Sequence, residues 1–156
     1  IRNTNLLKST KIDDGPIRCM SISPDNKQFI VSAQSGVTRS YTVSDTEPYK
    51  ESFVIHAHND YQLSCIYSPN GKLFATSAAN NTARVWDAVN GDMKKNIVPS
   101  ELREWIWGVA FSPDSSQLVV GGSDGICKKF DVENGRPLMN YPQIEKCISA
   151  IAIMKL

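Results

Sequence analysis

The clearest candidates for chemistry in the sequence are a histidine and the polar residues near it. His58 is followed by Asn59 and Asp60, and Ser77 lies at the end of a later apolar run. A serine, a histidine and a carboxylate are the parts of a hydrolytic triad, in which the imidazole accepts the serine proton. The same groups also form buried structural bridges, because buried polar side chains are hydrogen bonded. The bridge is the favoured interpretation, since His58 and Ser77 occupy fixed positions of an internal repeat.

Two lysine pairs, Lys94-Lys95 and Lys128-Lys129, are the candidates for phosphate contacts. The chain carries 17 Lys and Arg against 16 Asp and Glu, a net charge of +1, so no basic field attracts nucleic acid. Lysines on exposed strand edges also prevent edge-to-edge aggregation, and this interpretation is favoured. The apolar runs are shorter than the roughly 20 residues of a membrane span. Neither nucleic acid nor a membrane span is therefore predicted.

Metal and cofactor sites are not predicted. The carboxylates of Asp13-Asp14 and of Asp131 with Glu133 lack the spacing of a calcium loop and suit turn positions. The four cysteines form no Cys-x-x-Cys pair, which argues against zinc. Most of them lie in or beside apolar stretches, where reduced thiols act as small hydrophobes, and this predicts a cytoplasmic or nuclear protein. The cysteines are Cys19, Cys65, Cys127 and Cys147.

An internal repeat organises the chain. It is anchored on Ser23-Pro24-Asp25, Ser68-Pro69-Asn70 and Ser112-Pro113-Asp114, whose prolines are 45 and 44 residues apart. Three further positions recur at fixed distances from each proline: a small residue, a turn residue and an aromatic residue. They are Ser32, Ser77 and Gly121; Gly36, Asn81 and Gly125; and Tyr41, Trp86 and Phe130.

Each unit of the repeat predicts four short antiparallel strands. Apolar or alternating runs of strand length are separated by turn pairs such as Asn70-Gly71 and Asn90-Gly91. In the second unit the predicted strands cover residues 63–67, 73–77, 83–87 and 93–98. A small sheet buries its faces only by stacking on similar sheets, and this period is typical of propeller blades.

The units resemble WD repeats. Trp86-Asp87 and Phe130-Asp131 resemble the Trp-Asp ending of the family, and Ala57-His58 resembles its Gly-His pair. The resemblance implies a hydrogen-bond chain from an indole to a serine hydroxyl, a histidine and an aspartate. By position its members here are Trp86, Ser77, His58 and Asn80. The first and third units have Asp13 and Leu102 at the histidine position, so packing must replace the chain there.

The predicted fold is therefore all-β, a partial WD-repeat propeller of three four-stranded blades with a lone strand at each end, about half of a seven-bladed ring. The predicted segments are 1–14, the last strand of a preceding blade; 15–58, 59–100 and 101–143, three blades; and 144–156, the first strand of a ring-closing blade. The lone strands are predicted near residues 5–10 and 147–154. The missing blades, or a partner, are needed to close the ring.

An aromatic cluster predicts the binding site. Alternation along Trp105-Ile106-Trp107-Gly108 places both indoles on one face and Ile106 on the other, with Gly108 and Ala110. The family resemblance implies that Trp105, Trp107, Tyr61 and Leu63 lie on the partner-binding rim. The alternative is that the indoles fill the central channel.

Two runs also resemble the small G-protein-β-like WD subunits of target-of-rapamycin (TOR) kinase complexes: an Ala-His-x-x-Tyr run at 57–61 and a Trp-x-Trp-Gly run at 105–108. This implies a non-catalytic subunit, cytoplasmic and also nuclear or membrane-associated through its complex, that binds and stabilises the TOR kinase domain. A WD adaptor in another assembly, such as a ubiquitin-ligase substrate receptor, is the alternative. An enzyme is not predicted, because no nucleophile, base or cofactor loop stands out beyond His58.

Overall fold

The computed structural model describes residues 15–44, 49–99 and 104–154. Every regular element within these ranges is a β-strand, so the described part of the chain holds no helix that could cross a membrane. The strands form three separate four-stranded antiparallel sheets, each with its strands in chain order. This confirms the predicted all-β segment of a propeller.

The strand bounds follow the repeat. The first sheet contains β1 (Ile17–Ile22), β2 (Gln28–Ala33), β3 (Val37–Thr42) and β4 (Lys50–His56). The second contains β5 (Gln62–Tyr67), β6 (Leu73–Ala78), β7 (Ala83–Asp87) and β8 (Met93–Ile97). The third contains β9 (Ile106–Phe111), β10 (Gln117–Gly122), β11 (Cys127–Asp131) and β12 (Pro137–Asn140).

The same turn joins the first two strands of every sheet. In the third sheet the Ser112 hydroxyl accepts a hydrogen bond from the backbone N–H of Gln117 at 2.9 Å and donates one to Asp114. The Ser112 hydrogen bond is the main reason that the pKa of Asp114 falls to about 2. Ser23 and Ser68 make the equivalent hydrogen bonds in the other two sheets. The three Ser-Pro-Asx turns are therefore equivalent, as the repeat predicts.

In the first and third sheets, the segment that follows the fourth strand passes close to the turn between the second and third strands. A glycine is required in the turn at this point. Gly36 has a φ of +87°, and a Cβ there would lie 2.0 Å from the carbonyl oxygen of His58. Gly125 has a φ of +72°, and its Cβ would lie 1.9 Å from the carbonyl oxygen of Ile144. His58 and Ile144 each donate a backbone hydrogen bond to the glycine below them. The second sheet uses Asn81 at the equivalent position, with a φ of 59°.

The sheets stack face to face, with β1 packed against β5 and β5 against β9. Two apolar clusters fill the interfaces, one between the first and second sheets and one between the second and third. The first cluster includes Ile30, Cys65, Tyr67, Phe74 and Trp86, with Cys19, Phe53 and Ile55 packed against it. The second includes Val85, Ile97, Ile106, Val109, Phe111, Leu118, Val120 and Phe130.

The structure assigns no strand to residues 141–154, so the predicted strand at 147–154 is not observed. The segment instead lies over the outer face of the third sheet, where Ile148 donates a backbone hydrogen bond to Gly122 at 3.0 Å. Ile148 and Ile151 pack against Gly121, and Ile151 also packs against Gly108. A strand requires a hydrogen-bonded neighbour along its length, and these contacts are mainly made face-on by side chains. The other predicted lone strand, at 5–10, lies outside the described residues.

The two lysine pairs have different environments. Lys94 and Lys95 lie on β8, the outermost strand of the second sheet, where Lys94 pairs with Asp87 at 3.2 Å. Lys128 and Lys129 lie on β11, which is paired on both sides, and Lys128 is only 4% exposed. The prediction of an exposed edge is therefore wrong for the second pair, because β11 lies inside its sheet.

The outer face of the first sheet is apolar and exposed. Met20 and Ile22 of β1 are 60% and 56% exposed. The register places Met20 opposite Val31 and Ile22 opposite Phe29. Phe29 stacks on Tyr41 with ring centroids 5.0 Å apart. The equivalent face of the second sheet, with Phe74 stacked on Trp86, is the face that packs against the first sheet. The outer face of the first sheet therefore has the composition of a blade interface.

We expect this face to cause self-association of the chain, because exposed contiguous apolar surface is a general source of association. The double substitution Met20→Lys with Ile22→Lys should lower the apparent mass in light scattering over a concentration series. Val89→Lys, at a site 78% exposed on a turn of the second sheet, is the matched control and should leave association unchanged. A chain that is already monomeric at high concentration would contradict the prediction.

Candidate partner-binding site

A buried hydrogen-bond chain runs through His58, which is 1% exposed. The Trp86 indole donates to the Thr76 hydroxyl at 2.9 Å, and that hydroxyl lies 2.8 Å from Nε2 of His58. On the other side of the ring, Nδ1 lies 3.0 Å from the Thr82 hydroxyl. Thr82 in turn donates to the side-chain oxygen of Asn80 at 2.5 Å.

The donors in this chain fix the tautomer of the histidine. Because Thr82 uses its proton on Asn80, it accepts from the ring, so Nδ1 of His58 carries the hydrogen. Nε2 is then an acceptor, and Thr76 donates to it while accepting from Trp86. All four hydrogen bonds point the same way, from the indole to the amide. A neutral His58 is therefore fully hydrogen bonded.

The predicted serine of this chain is wrong by one residue. The hydroxyl belongs to Thr76, whereas the Ser77 hydroxyl is buried and has no hydrogen-bond partner among the described residues. Strand alternation explains the difference: Phe74 lies opposite Trp86, and Thr76, two residues further on, shares their face. Ser77 lies on the opposite face. Asn80 belongs to the hydrogen-bond chain as predicted, but Thr82 lies between it and the His58 ring.

The environment of His58 disfavours a charge. Burial lowers its pKa to about 3, and the nearby Arg84 guanidinium contributes to the shift. Arg84 is held in place by a 2.6 Å hydrogen bond to the carbonyl oxygen of Ala57. Asp60 accepts instead from the backbone N–H of Tyr61 on the surface. The described residues thus place neither Ser77 nor Asp60 on the His58 ring, and the contacts of the ring are those of a structural bridge.

A second buried network, which the sequence analysis missed, centres on Gln62. Its amide donates to the Ser32 hydroxyl at 2.7 Å, and its carbonyl oxygen accepts from Thr38 at 3.0 Å. Ser32 and Thr38 are 2.9 Å apart and close the triangle. Because Gln62 belongs to β5 and its partners to β2 and β3, the triangle fixes the second sheet against the first. In the sequence, nothing distinguishes Gln62 at the start of its strand from a solvent-exposed polar side chain.

A β-bulge recurs at the start of the first strand of each sheet. The pairing skips Arg18, Leu63 and Trp107 in turn. Such an extra residue is left out of the ladder, and its side chain is redirected at the rim of the sheet. Two residues earlier, the carbonyl oxygens of Tyr61 and Trp105 accept equivalent backbone hydrogen bonds. The four predicted binding residues thus occupy two equivalent positions, one just before and one just inside the strands β5 and β9 of neighbouring sheets.

The two tryptophans contact each other on this rim. Their ring centroids are 5.4 Å apart with an interplanar angle of 47°. The Trp107 indole donates to the Ser123 hydroxyl at 2.7 Å, while Trp105 is 41% exposed and Tyr61 is 50% exposed. We call Tyr61, Leu63, Trp105 and Trp107 the tryptophan surface.

The bulge corrects the predicted alternation of this segment. Ile106 is fully buried in the cluster between the second and third sheets, together with Val109. Gly108 instead faces Ile151 on the other side of the sheet. Alternation fails because Trp107 is the extra residue of the bulge, which the sequence analysis did not foresee.

The described residues contain no group of three or more His, Cys, Asp or Glu side chains that could hold a metal ion. Residues 49–87 and 99–131 match the family described as WD domain, G-beta repeat. These two segments of the chain are WD repeats. The matched segment 49–87 contains β4 of the first sheet and β5 to β7 of the second, so one WD repeat in sequence spans two sheets and links them covalently.

Several relatives contain similar sequence. Actin-interacting protein 1-2 of Arabidopsis thaliana is 27% identical over 118 residues, which cover 75% of this chain and 19% of that protein. A guanine nucleotide-binding protein subunit beta of Nicotiana tabacum is 33% identical over 91 residues, 54% of this chain and 22% of that protein. WD repeat-containing protein 90 of Mus musculus is 26% identical over 147 residues, 90% of this chain and 7% of that protein. The chain therefore spans less than a quarter of the length of each of these relatives.

The assignment of the WD hydrogen-bond chain to Thr76 can be tested with two neighbouring substitutions. Thr76→Val leaves the Trp86 N–H and Nε2 of His58 without partners, so the free energy of unfolding should fall by about 1–3 kcal/mol. Ser77→Ala removes a buried hydroxyl that has no hydrogen-bond partner among the described residues, so it should leave the free energy of unfolding nearly unchanged. Chemical denaturation of both variants measures the difference. A larger loss of stability for Ser77→Ala than for Thr76→Val would show that Ser77, and not Thr76, belongs to the hydrogen-bond chain.

The lowered pKa of His58 predicts a pH dependence. Its folded pKa of about 3 lies below the usual value of about 6.5, so the unfolded chain binds a proton first as the pH falls. Stability is therefore full above about pH 6.5 and declines below it, by about 1.4 kcal/mol per pH unit. Because this slope is approached only well below pH 6.5, denaturant titrations should show a total loss of about 1.4 kcal/mol between about pH 7.5 and about 5.5. His58→Gln should remove this loss. His56→Gln, at the other histidine of the chain, is the control that should keep it.

Proposed function

We propose that the chain is part of a non-catalytic scaffold and that the tryptophan surface is its binding site for a protein partner. WD-repeat proteins are generally scaffolds for protein interaction. The observation that supports the site is the pair of contacting indoles on the strand rim, one of them 41% exposed. Tryptophan and tyrosine are the residues most enriched at the energetic centres of interfaces. The proposed scaffold acts in the cytoplasm, where free thiols remain reduced.

The hydrogen bond of Trp107 supports binding over simple filling of space. Its N–H is satisfied by Ser123, so the ring is held in one orientation before any partner arrives. Trp105 rests against that ring and keeps much of its surface accessible. An aromatic group held in its bound orientation loses little conformational freedom on binding, which favours affinity.

The partner that we propose is the TOR kinase domain. The support is the resemblance of the runs at 57–61 and 105–108 to the small WD subunits of TOR complexes, because both runs contribute to the tryptophan surface. The proposed role is to bind and stabilise the kinase domain. Actin is a second candidate, favoured by similarity over 75% of this chain to a relative whose name states that it interacts with actin.

The double substitution Trp105→Ala with Trp107→Ala tests the site. Loss of a central aromatic anchor costs about 2 kcal/mol or more, or about thirtyfold in affinity. The variant should therefore lose capture of the TOR kinase domain in a pull-down, while its melting temperature stays within a few degrees of the unchanged chain. Val89→Ala with Met93→Ala, two exposed apolar residues away from the rim, is the matched control and should bind normally.

The outcomes separate the site from the partner. Wild-type capture by the double variant would show that the tryptophan surface is not the binding site. A parallel fall of melting temperature and binding would assign the indoles to packing. If the unchanged chain captures actin and not the kinase domain, and the double variant does not, the site stands and the TOR proposal fails.

A further inference from the structure

Two cysteines face each other across the interface between the first and second sheets. Cys19 lies on β1 and Cys65 on β5, and the two strands pack side by side. Cys65 belongs to the apolar cluster of this interface, and Cys19 packs against the same cluster. Both are free thiols, and two residues further along the same strands the Tyr67 backbone N–H donates to the Ser21 hydroxyl at 3.1 Å, which holds the two strands side by side.

Neighbouring contacts hold the two sulfurs in place. Ser32 is the strand partner of Cys19. The same Ser32 hydroxyl accepts the 2.7 Å hydrogen bond from Gln62, which begins the strand that carries Cys65. The Gln62 network thus fixes the distance between the strands at the position where the thiols meet.

The environments of the two thiols differ in a way that suits sequential chemistry. The hydrogen bond from Cys65 lowers the pKa of Cys19, with smaller contributions from Ser32 and Arg18 that act against burial. The same hydrogen bond, together with burial, raises the pKa of Cys65. Cys19 is half-buried and Cys65 is buried. Because the thiolate is the reactive form, Cys19 is the better nucleophile and the more accessible one.

We propose that Cys19 and Cys65 form an oxidation site, at which hydrogen peroxide converts the two thiols into a disulfide that joins the first sheet to the second. The Cys19 thiolate attacks one peroxide oxygen, the O–O bond breaks, and hydroxide leaves and is protonated to water. This gives a sulfenic acid on Cys19. The Cys65 sulfur then loses its proton and attacks the Cys19 sulfur, the S–O bond breaks, and a second water leaves. Two thiols lose two electrons and two protons, and one peroxide becomes two waters.

The other two cysteines provide a comparison within the same chain. Cys127 lies on β11, where burial raises its pKa and makes it a weaker nucleophile. Cys147 is exposed and measures the reaction of an accessible thiol. Because Cys147 is the more exposed thiol, selective oxidation of the facing pair would show that their geometry, and not exposure alone, directs the reaction.

Peptide mapping of the intact chain tests the proposal. The folded chain is treated with limiting hydrogen peroxide, its remaining thiols are alkylated, and it is digested with trypsin without reductant. Cleavage after Arg18, Lys27, Lys50 and Lys72 releases residues 19–27 and 51–72, each with one cysteine. These two peptides should appear as one species, about 2 Da lighter than their sum. The titratable thiols should fall from four to two and recover on reduction.

Variants and unfolding provide the controls. Cys127→Ser with Cys147→Ser should retain the linked peptide, whereas Cys19→Ser and Cys65→Ser should each lose it. Treatment in concentrated urea should remove the preference for this pair. The proposal is overturned if the first disulfide joins any other pair or two chains. It is also overturned if Cys147 is oxidised while residues 19–27 and 51–72 stay reduced.

Discussion

The stacking of one small sheet on the next is the constraint on which the rest of the structure depends. Each sheet has four short strands and two apolar faces, so it cannot bury both faces alone. Phe74 and Trp86 cover the first sheet, and the opposite face of the second sheet covers the third through Val85 and Ile97. Gly36 and Gly125 permit the connecting segments to cross close to the turns, because a Cβ there would collide with a carbonyl oxygen. The WD repeat matched at 49–87 also joins two sheets, since it begins with β4, the last strand of the first sheet, and continues through β5 to β7 of the second.

The two interfaces are held in different ways. Between the first and second sheets, Gln62 and His58 add directional hydrogen-bond networks. Apolar packing is non-directional, whereas an unsatisfied buried polar group costs free energy, so these networks select one register of the sheets. The cluster between the second and third sheets is made of side chains such as Ile106 and Leu118, whose contacts depend on shape alone. The geometry is therefore most strictly specified where Cys19 and Cys65 meet.

The sequence predicted most of the fold because its signals are local. The Ser-Pro-Asx turns and the alternating runs placed all four strands of the second sheet to within a residue at either end. The site was predicted less well, because its details depend on which face of a strand each side chain occupies. Counting from Pro69 selected Ser77, but the face shared with Trp86 belongs to Thr76. The bulge at Trp107 and the partners of Gln62 depend on strand pairing and on a neighbouring sheet, which no local pattern specifies.

The position of the bulge connects the fold to the proposed function. A regular strand would bury every second side chain at its start, and a bulky aromatic residue there would have to enter the interface. The extra residue instead leaves the ladder, so Trp107 lies on the rim while Ile106 remains buried beneath it. The same irregularity occurs at Leu63 and Arg18, so the backbone provides one such position per blade whatever residue occupies it. In the proposed scaffold, binding specificity can therefore change by substitution at these positions without changing the stacking that holds the sheets together.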